Sequence, residues 1–326
     1  MAVQFRRVHL AAASALILGA SAAPQLDSDA AAAVLDPTRA LARICGMPGG
    51  GRPAWFKTLA AVEASGALPA PHDGPPPLMT GLGDTHLPIT TSSPRAQAYF
   101  DQGLALAYGF NHDAAVRAFR AAQALDPDCA MCFWGEAFAK GPNINAPMDS
   151  AGAADAWKAL KRAEALGSRA SDKERALIDA LSERYVLEPQ EDRGALDRRY
   201  AAAMRATQAV YPDDDNVAVL AAEAIMDTRP WDYWEADART PKGDIGEAIR
   251  MVEMVLTRNP DQAQAIHLYI HLMEASATPE KAEPYADRLA KPLTPAAGHL
   301  VHMPGHLFYR VGRFRDAIRV NVEAAK

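Results

Sequence analysis

The sequence predicts an all-α protein, and three observations carry that expectation. From Ser93 onward, apolar residues recur at intervals of three and four along almost the whole chain. Pro and Gly mark the ends of these runs. No run shows the apolar–polar alternation of a half-buried strand. The chain is 49% hydrophobic and 23% charged, a globular balance that excludes a collagen-like, coiled-coil or wholly disordered protein.

The elements follow in order. Residues 1–22 carry the pattern of a cleavable export signal. Arg6 and Arg7 are a positive start, Leu10 to Leu18 is a short apolar stretch, and Ala20-Ser21-Ala22 is a small-residue cleavage site. The Arg pair partly resembles a twin-arginine signal, which carries folded proteins; the alternative is an ordinary secretory signal. Either one predicts a periplasmic or secreted protein. Residues 23–94 are too rich in breakers for long helices, Gly49-Gly50-Gly51 and Pro75-Pro76-Pro77 being the clearest. This segment is expected to be irregular and partly wrapped on the domain that follows, with one short helix near residues 54–64. Residues 95–326 are the helical body.

Several classes of partner are excluded by composition. The formal net charge is −6, with no long block of Lys and Arg, so nucleic acid is not an expected partner. No apolar run reaches the ~18–20 residues that cross a bilayer. Three cysteines are too few for a disulfide scaffold. Cys129 and Cys132 lie at a helix start, where a local disulfide, two buried thiols or a redox pair are all open; Cys45 is left over.

Within the helical body a period emerges. Gly103, Ala115, Phe119, Ala122 and Pro127 fall at positions 8, 20, 24, 27 and 32 of a 34-residue unit. Ala248, Val252, Val255 and Pro260 repeat the last four positions. Gly305, Ala317 and Ala324 supply positions 8, 20 and 27 of a final unit, and Pro212 ends another. With these residues the chain resembles the tetratricopeptide repeat (TPR) family from about Ser93 to Lys326. The stretch from Ala151 to Val210 departs from the pattern. The resemblance implies an α-solenoid of antiparallel helix pairs, with small residues where helices approach closely. It also implies a concave groove for a protein, peptide or small-molecule ligand. The sequence stops inside what should be the second helix of a unit, so a capping helix is expected to be missing.

The chemistry concentrates in two triplets. His267, His271 and Glu274 are spaced i, i+4, i+7; His299, His302 and His306 are spaced i, i+3, i+7. Each triplet lies on one stripe of a helix. The repeat arithmetic places both on first helices of successive units, hence on neighbours facing the groove. Packed helices lie roughly 8–10 Å apart, so imidazoles from facing stripes can share an ion at ~2.0–2.1 Å per nitrogen. The donor set suits Zn, Cu, Fe or Ni, and the number of ligands allows one or two ions. Glu223 falls on the same face, as a ligand or as an orienter of one. Pro304 cannot donate to Leu300 and is expected to bend its helix and re-aim His302 against His306.

Other residues are expected around the groove. Trp134 and Phe138 take groove positions of the second unit. Trp231, Tyr233 and Trp234 are a lid, a wall or core packing. Asn143 and Asn145 extend a loop with polar contacts, and His112 beside Asp113 caps locally or adds a ligand. Three functions stay open: a metal-containing binding protein, a metal-dependent hydrolase or oxidoreductase, and a plain interaction scaffold. His267-Leu-Tyr-Ile-His271 lacks the central Glu of the zinc-protease motif, and no Ser/His/Asp triad or phosphate-binding Gly loop is evident.

Overall fold

The computed structural model describes residues 74–148, 150–187 and 192–325. The export signal, the short helix near residues 54–64 and Cys45 lie outside them. The described residues are all-helical. In order, the helices are α1 (Pro94–Tyr108), α2 (His112–Leu125), α3 (Ala130–Ala139), α4 (Ser150–Ala165), α5 (Asp172–Ser182) and α6 (Gly194–Val210). They continue with α7 (Asp215–Asp227), α8 (Ile245–Arg258), α9 (Ala263–Met273), α10 (Glu283–Leu289), α11 (Gly298–His302), α12 (Pro304–Arg310) and α13 (Phe314–Ala324).

Helix starts follow local chemistry. Ser93 caps α1 by accepting from the Ala96 amide, with Pro94 as the first helical residue. Ser171 and Glu174 form a reciprocal capping box at α5. Asp214 caps α7 through the Val217 amide at 3.1 Å.

From α1 to α10 each helix packs on the one after it, and α10 then packs on α12. Alternate helices also touch: α1 with α3, α3 with α5, α7 with α9, and α9 with α12. The closest approach in the first part of the row is made by glycine. A Cβ on Gly103 would lie 2.7 Å from the Phe119 ring, and one on Gly135 would lie closer still. Phe119 of α2 is wholly buried and meets Phe100 edge-on, with centroids 5.4 Å apart.

The row curls back on itself. Phe110, just after α1, packs its ring on His267 of α9 and His299 of α11, each with centroids 4.8 Å apart. Residues 74–93 form no regular element and run as a strap across the helix starts. Tyr99 donates to Pro76 O, and the Leu87 and Ile89 amides donate to Asp101 and Gln97 of α1. Farther on, Thr90 binds Glu174 of α5 and Asn216 of α7 donates to His86 O. The Ala296 amide, ahead of α11, donates to Gly81 O at 2.8 Å. Gly83 sits at φ 86°, where a Cβ would meet Thr294 Cγ2 at 2.9 Å, so the strap needs glycine there.

Two helices set up the candidate site. Helix α9 is apolar nearly all round, and every residue from Gln264 to Met273 is buried, so it runs through the interior. Pro304 breaks the next histidine-bearing rod into α11 and α12, with Met303 at the joint and the His306 amide donating to Met303 O. The interruption is that expected of a ring lacking an N–H, while Met303 itself keeps helical angles, φ −52° and ψ −40°.

Candidate metal centre

The two histidine stripes meet. His267 and His299 face each other with their Nε2 atoms 3.1 Å apart, and His302 and His306 with theirs 2.9 Å apart. The His271 ring lies between, its centroid 4.9 Å from that of His267 and 5.4 Å from that of His306. His267, His271 and His306 are buried, while His299 and His302 are half-buried.

The other ring nitrogens are tied down. His271 Nδ1 pairs with Glu274 Oε1 at 2.9 Å, and His306 Nδ1 pairs with Glu274 Oε2 at 3.0 Å. His267 Nδ1 pairs with Gln264 Oε1 at 3.0 Å. The Gln264 amide is turned that way because its NH2 donates to Glu223 Oε2 at 3.2 Å. His302 Nδ1 pairs with Asn321 Oδ1 at 3.0 Å, and the Asn321 NH2 donates to Ala317 O at 2.7 Å. Asn321 comes this close because Gly305 has no side chain; a Cβ there would lie 2.6 Å from Asn321 Nδ2.

An oxygen acceptor at Nδ1 requires the proton to be there, and Nε2 then carries a lone pair. In a neutral ring this sets the tautomer, as for His267, His271 and His302. For His302 it turns the Nε2 lone pair toward His306 Nε2 at 2.9 Å, the spacing of a hydrogen bond and also of two ligands on one ion. For His271 it leaves Nε2 buried with no hydrogen-bond partner. An unsatisfied buried polar atom costs about 1–3 kcal/mol.

The electrostatics keep His267, His271, His299 and His302 neutral. Burial, reinforced by the surrounding imidazoles, pushes His267 and His299 well below the usual histidine range. Burial also lowers His271. His302 is pushed down to about 4 by burial and then by His306. Burial alone would raise the Glu274 carboxyl. His306 and the hydrogen bonds from His271 and His306 outweigh that and hold it well below the usual carboxylate range. Neutral imidazoles beside an ionised carboxylate are the protonation states that bind a metal ion. His/Glu groups able to hold an ion are present: His267, His271 and His299, and His271, Glu274 and His306, each with ligand atoms within 4.8 Å of one another.

A second polar cluster lies behind the first. Arg184, between α5 and α6, is buried and donates from Nη2 to Asp227 Oδ2 at 2.6 Å and to Pro142 O at 2.9 Å. Its guanidinium stacks over the Tyr200 ring. The hydroxyls of Tyr108, Tyr200 and Tyr233 and the second Asp227 oxygen are buried without hydrogen-bond partners. Burial and then Asp227 raise the Glu223 carboxyl; burial also raises Asp227, against the pull of Arg184. Glu223 acts on all three phenols and reaches His267 only through Gln264.

The aromatic residues fall differently from the expected open groove. Trp134 and Phe138 are buried and stack on each other at 5.2 Å, and Trp134 Nε1 donates to Leu177 O. At these positions the groove is filled, because the helix row curls tightly enough for alternate helices to pack. Trp231 does reach the site. It sits at φ 65°, donates to Ile144 O at 2.7 Å and packs edge-on to His271. Trp234 turns away and donates to Leu272 O. His112 has both nitrogens engaged, with Ala139 O and with Asn143 Nδ2, so it is an anchor for the Asn143 loop. Cys129 and Cys132 form a disulfide.

Phe110, Gln264 and Asn321 were not anticipated. Gln264 had a visible signal, since it stands three residues before His267 as His271 stands three before Glu274. Phe110 and Asn321 reach the site only through tertiary packing. No protein-family model matches the chain, and no curated protein matches it.

Proposed function

We propose that this protein is an exported repeat protein of TPR type that binds a transition metal through the Nε2 atoms of its clustered histidines. One observation carries the reading: Nδ1 of four imidazoles is held by an oxygen, so that their Nε2 atoms turn inward among one another. Orienting partners of this kind recur around metal-bound histidines. Zn, Cu and Fe all suit imidazole donors. Glu274, Gln264 and Asn321 are orienters in this reading, and Glu223 supports Gln264.

The repeat assignment rests on Gly103 and Phe119 meeting as positions 8 and 24 of a repeat should, and on contact between alternate helices. The export assignment rests on Arg6-Arg7, the apolar stretch and Ala20-Ser21-Ala22. A disulfide at Cys129–Cys132 suits an oxidising compartment. No described helix is long and apolar enough to cross a membrane.

A second reading, a metal-dependent hydrolase or oxidoreductase, is favoured by the unpartnered phenols and Asp227 oxygen behind the histidines. Three imidazoles leave a fourth position open on a tetrahedral ion, as in catalytic sites.

Elemental analysis of untagged protein tests the first reading. The expected result is at least one Zn, Cu or Fe per chain, with the content lowered in His271→Ala and the fold retained by circular dichroism. Metal at trace levels, or content unchanged in His271→Ala, would overturn it. The metal-loaded protein is then assayed for ester and phosphoester hydrolysis and for dioxygen uptake. Turnover abolished by His271→Ala supports the enzyme reading, and its absence leaves a binding protein.

A further inference from the structure

The histidines do not converge on one point. Donors bound to a single ion at ~2.0–2.1 Å stand at most about 4.2 Å apart, when they are opposite each other. Ligand atoms within 4.8 Å of one another form two sets, His267–His271–His299 and His271–Glu274–His306. His299 stands outside the second set and His306 outside the first. Each close Nε2 pair belongs to a different end: His267 with His299 at 3.1 Å, His302 with His306 at 2.9 Å. Neighbouring donors on one ion, at angles between 90° and tetrahedral, stand about 2.9–3.4 Å apart at those bond lengths. Each pair therefore already has the spacing of two ligands on one ion.

Resting on the metal reading above, we propose that the centre holds two transition-metal ions. One is bound by Nε2 of His267, His271 and His299, and the other by Nε2 of His302 and His306.

The close pair of His302 and His306 argues for the second ion independently of the first. Asn321 and Glu274 engage Nδ1 of these rings, which turns their Nε2 atoms toward each other at the spacing of two ligands. Glu274 spans the two loci, with one oxygen on His271 of the first and the other on His306 of the second. Its carboxylate lies where two dications most need a shared negative charge. With only two protein donors, the second locus keeps open positions for water or a bridging oxygen donor.

The test is a Co2+ titration of the full chain, followed by visible absorbance and by elemental analysis after desalting. The expected result is a break at two equivalents and two ions retained. The double variant His267→Gln/His299→Gln should keep one ion, and so should His302→Gln/His306→Gln. A break at one equivalent, with a single ion that either double variant removes, would overturn the two-ion centre while leaving the metal reading intact. No bound ion in the wild type would sink both. Should either double variant fail to fold, Cu2+ loading of the wild type decides. Spin–spin broadening in the electron paramagnetic resonance spectrum that appears between one and two equivalents supports two neighbouring ions. A spectrum that stays unbroadened at two equivalents overturns them.

Discussion

The α1–α3 contact and the α9–α12 contact solve the same packing problem with opposite chemistry. In the first, a single ring, Phe119, fills the space left by Gly103 and Gly135, with Phe100 beside it. In the second, the space between two helices is filled by imidazoles tied to Glu274, Gln264 and Asn321. The apolar contact is satisfied by shape alone. The polar one leaves His271 Nε2 buried and unpartnered, and so keeps a donor atom available where the apolar contact keeps none. A protein can spend one interface on stability and another on binding within a single row of helices.

Acid should separate the two contacts most. His267, His299 and His302 are held below the unfolded histidine value, so below about pH 6.5 the unfolded chain binds protons that the folded one refuses. Stability is fully present above about pH 6.5 and is lost as pH falls through the folded values, near 4 for His302. Each unit of depression is worth about 1.4 kcal/mol, while the raised Glu223 and Asp227 take up protons in the folded state and oppose the loss over the same window. Urea titrations of metal-free Glu223→Gln/Asp227→Asn protein from pH 7.5 to 4.5 isolate the histidine part, and a flat profile there would contradict the burial of neutral imidazoles.

Next is Phe119→Ala, expected to cost about 3–5 kcal/mol as a large-to-small change in a packed core. Its metal affinity should stay near wild type while the protein remains folded. A coupled loss of metal would show that the two contacts are not independent. Conversely, Zn2+ at a hundred times its Kd should stabilise the wild type by about 2.7 kcal/mol, and His271→Ala should reduce that gain in a thermal melt.

Smaller effects resolve the orienters. Glu274→Gln keeps size but loses the charge and one of two acceptors, and should weaken metal binding about 10–100-fold, the usual consequence of removing such a partner. Asn321→Ala frees only the half-buried His302 and should sit at the low end of that range. Isothermal titration with Zn2+ ranks the two; a larger loss from Asn321→Ala would place the dominant ion at the His302 end.

The helical class and the two stripes were legible because both depend on local periodicity. His267, His271 and Glu274 share a face whatever they pack against, and Pro304 breaks its helix for reasons internal to the backbone. The filled interior at Trp134 and Phe138 was not legible. Repeat positions name the inward face of a helix without saying how sharply the row bends. Glu274 shows the same limit from inside the site: its i, i+3 relation to His271 is local, but its second oxygen meets His306 only after α9 and α12 have packed. Phe110 sits in a turn at φ 54°, far in sequence from the histidines it covers, and nothing in its neighbours announces that role.

The strap bears on more than the helix starts it crosses. Its contacts with α1, α5, α7 and the approach to α11 fasten early and late parts of the chain like a hoop around staves. A proteolytic nick between Gly81 and Leu87 would part the bond to Ala296, just ahead of α11, from the bond to Asp101 of α1. The closing of the helix row is thus partly written in a stretch of chain that belongs to none of the helices.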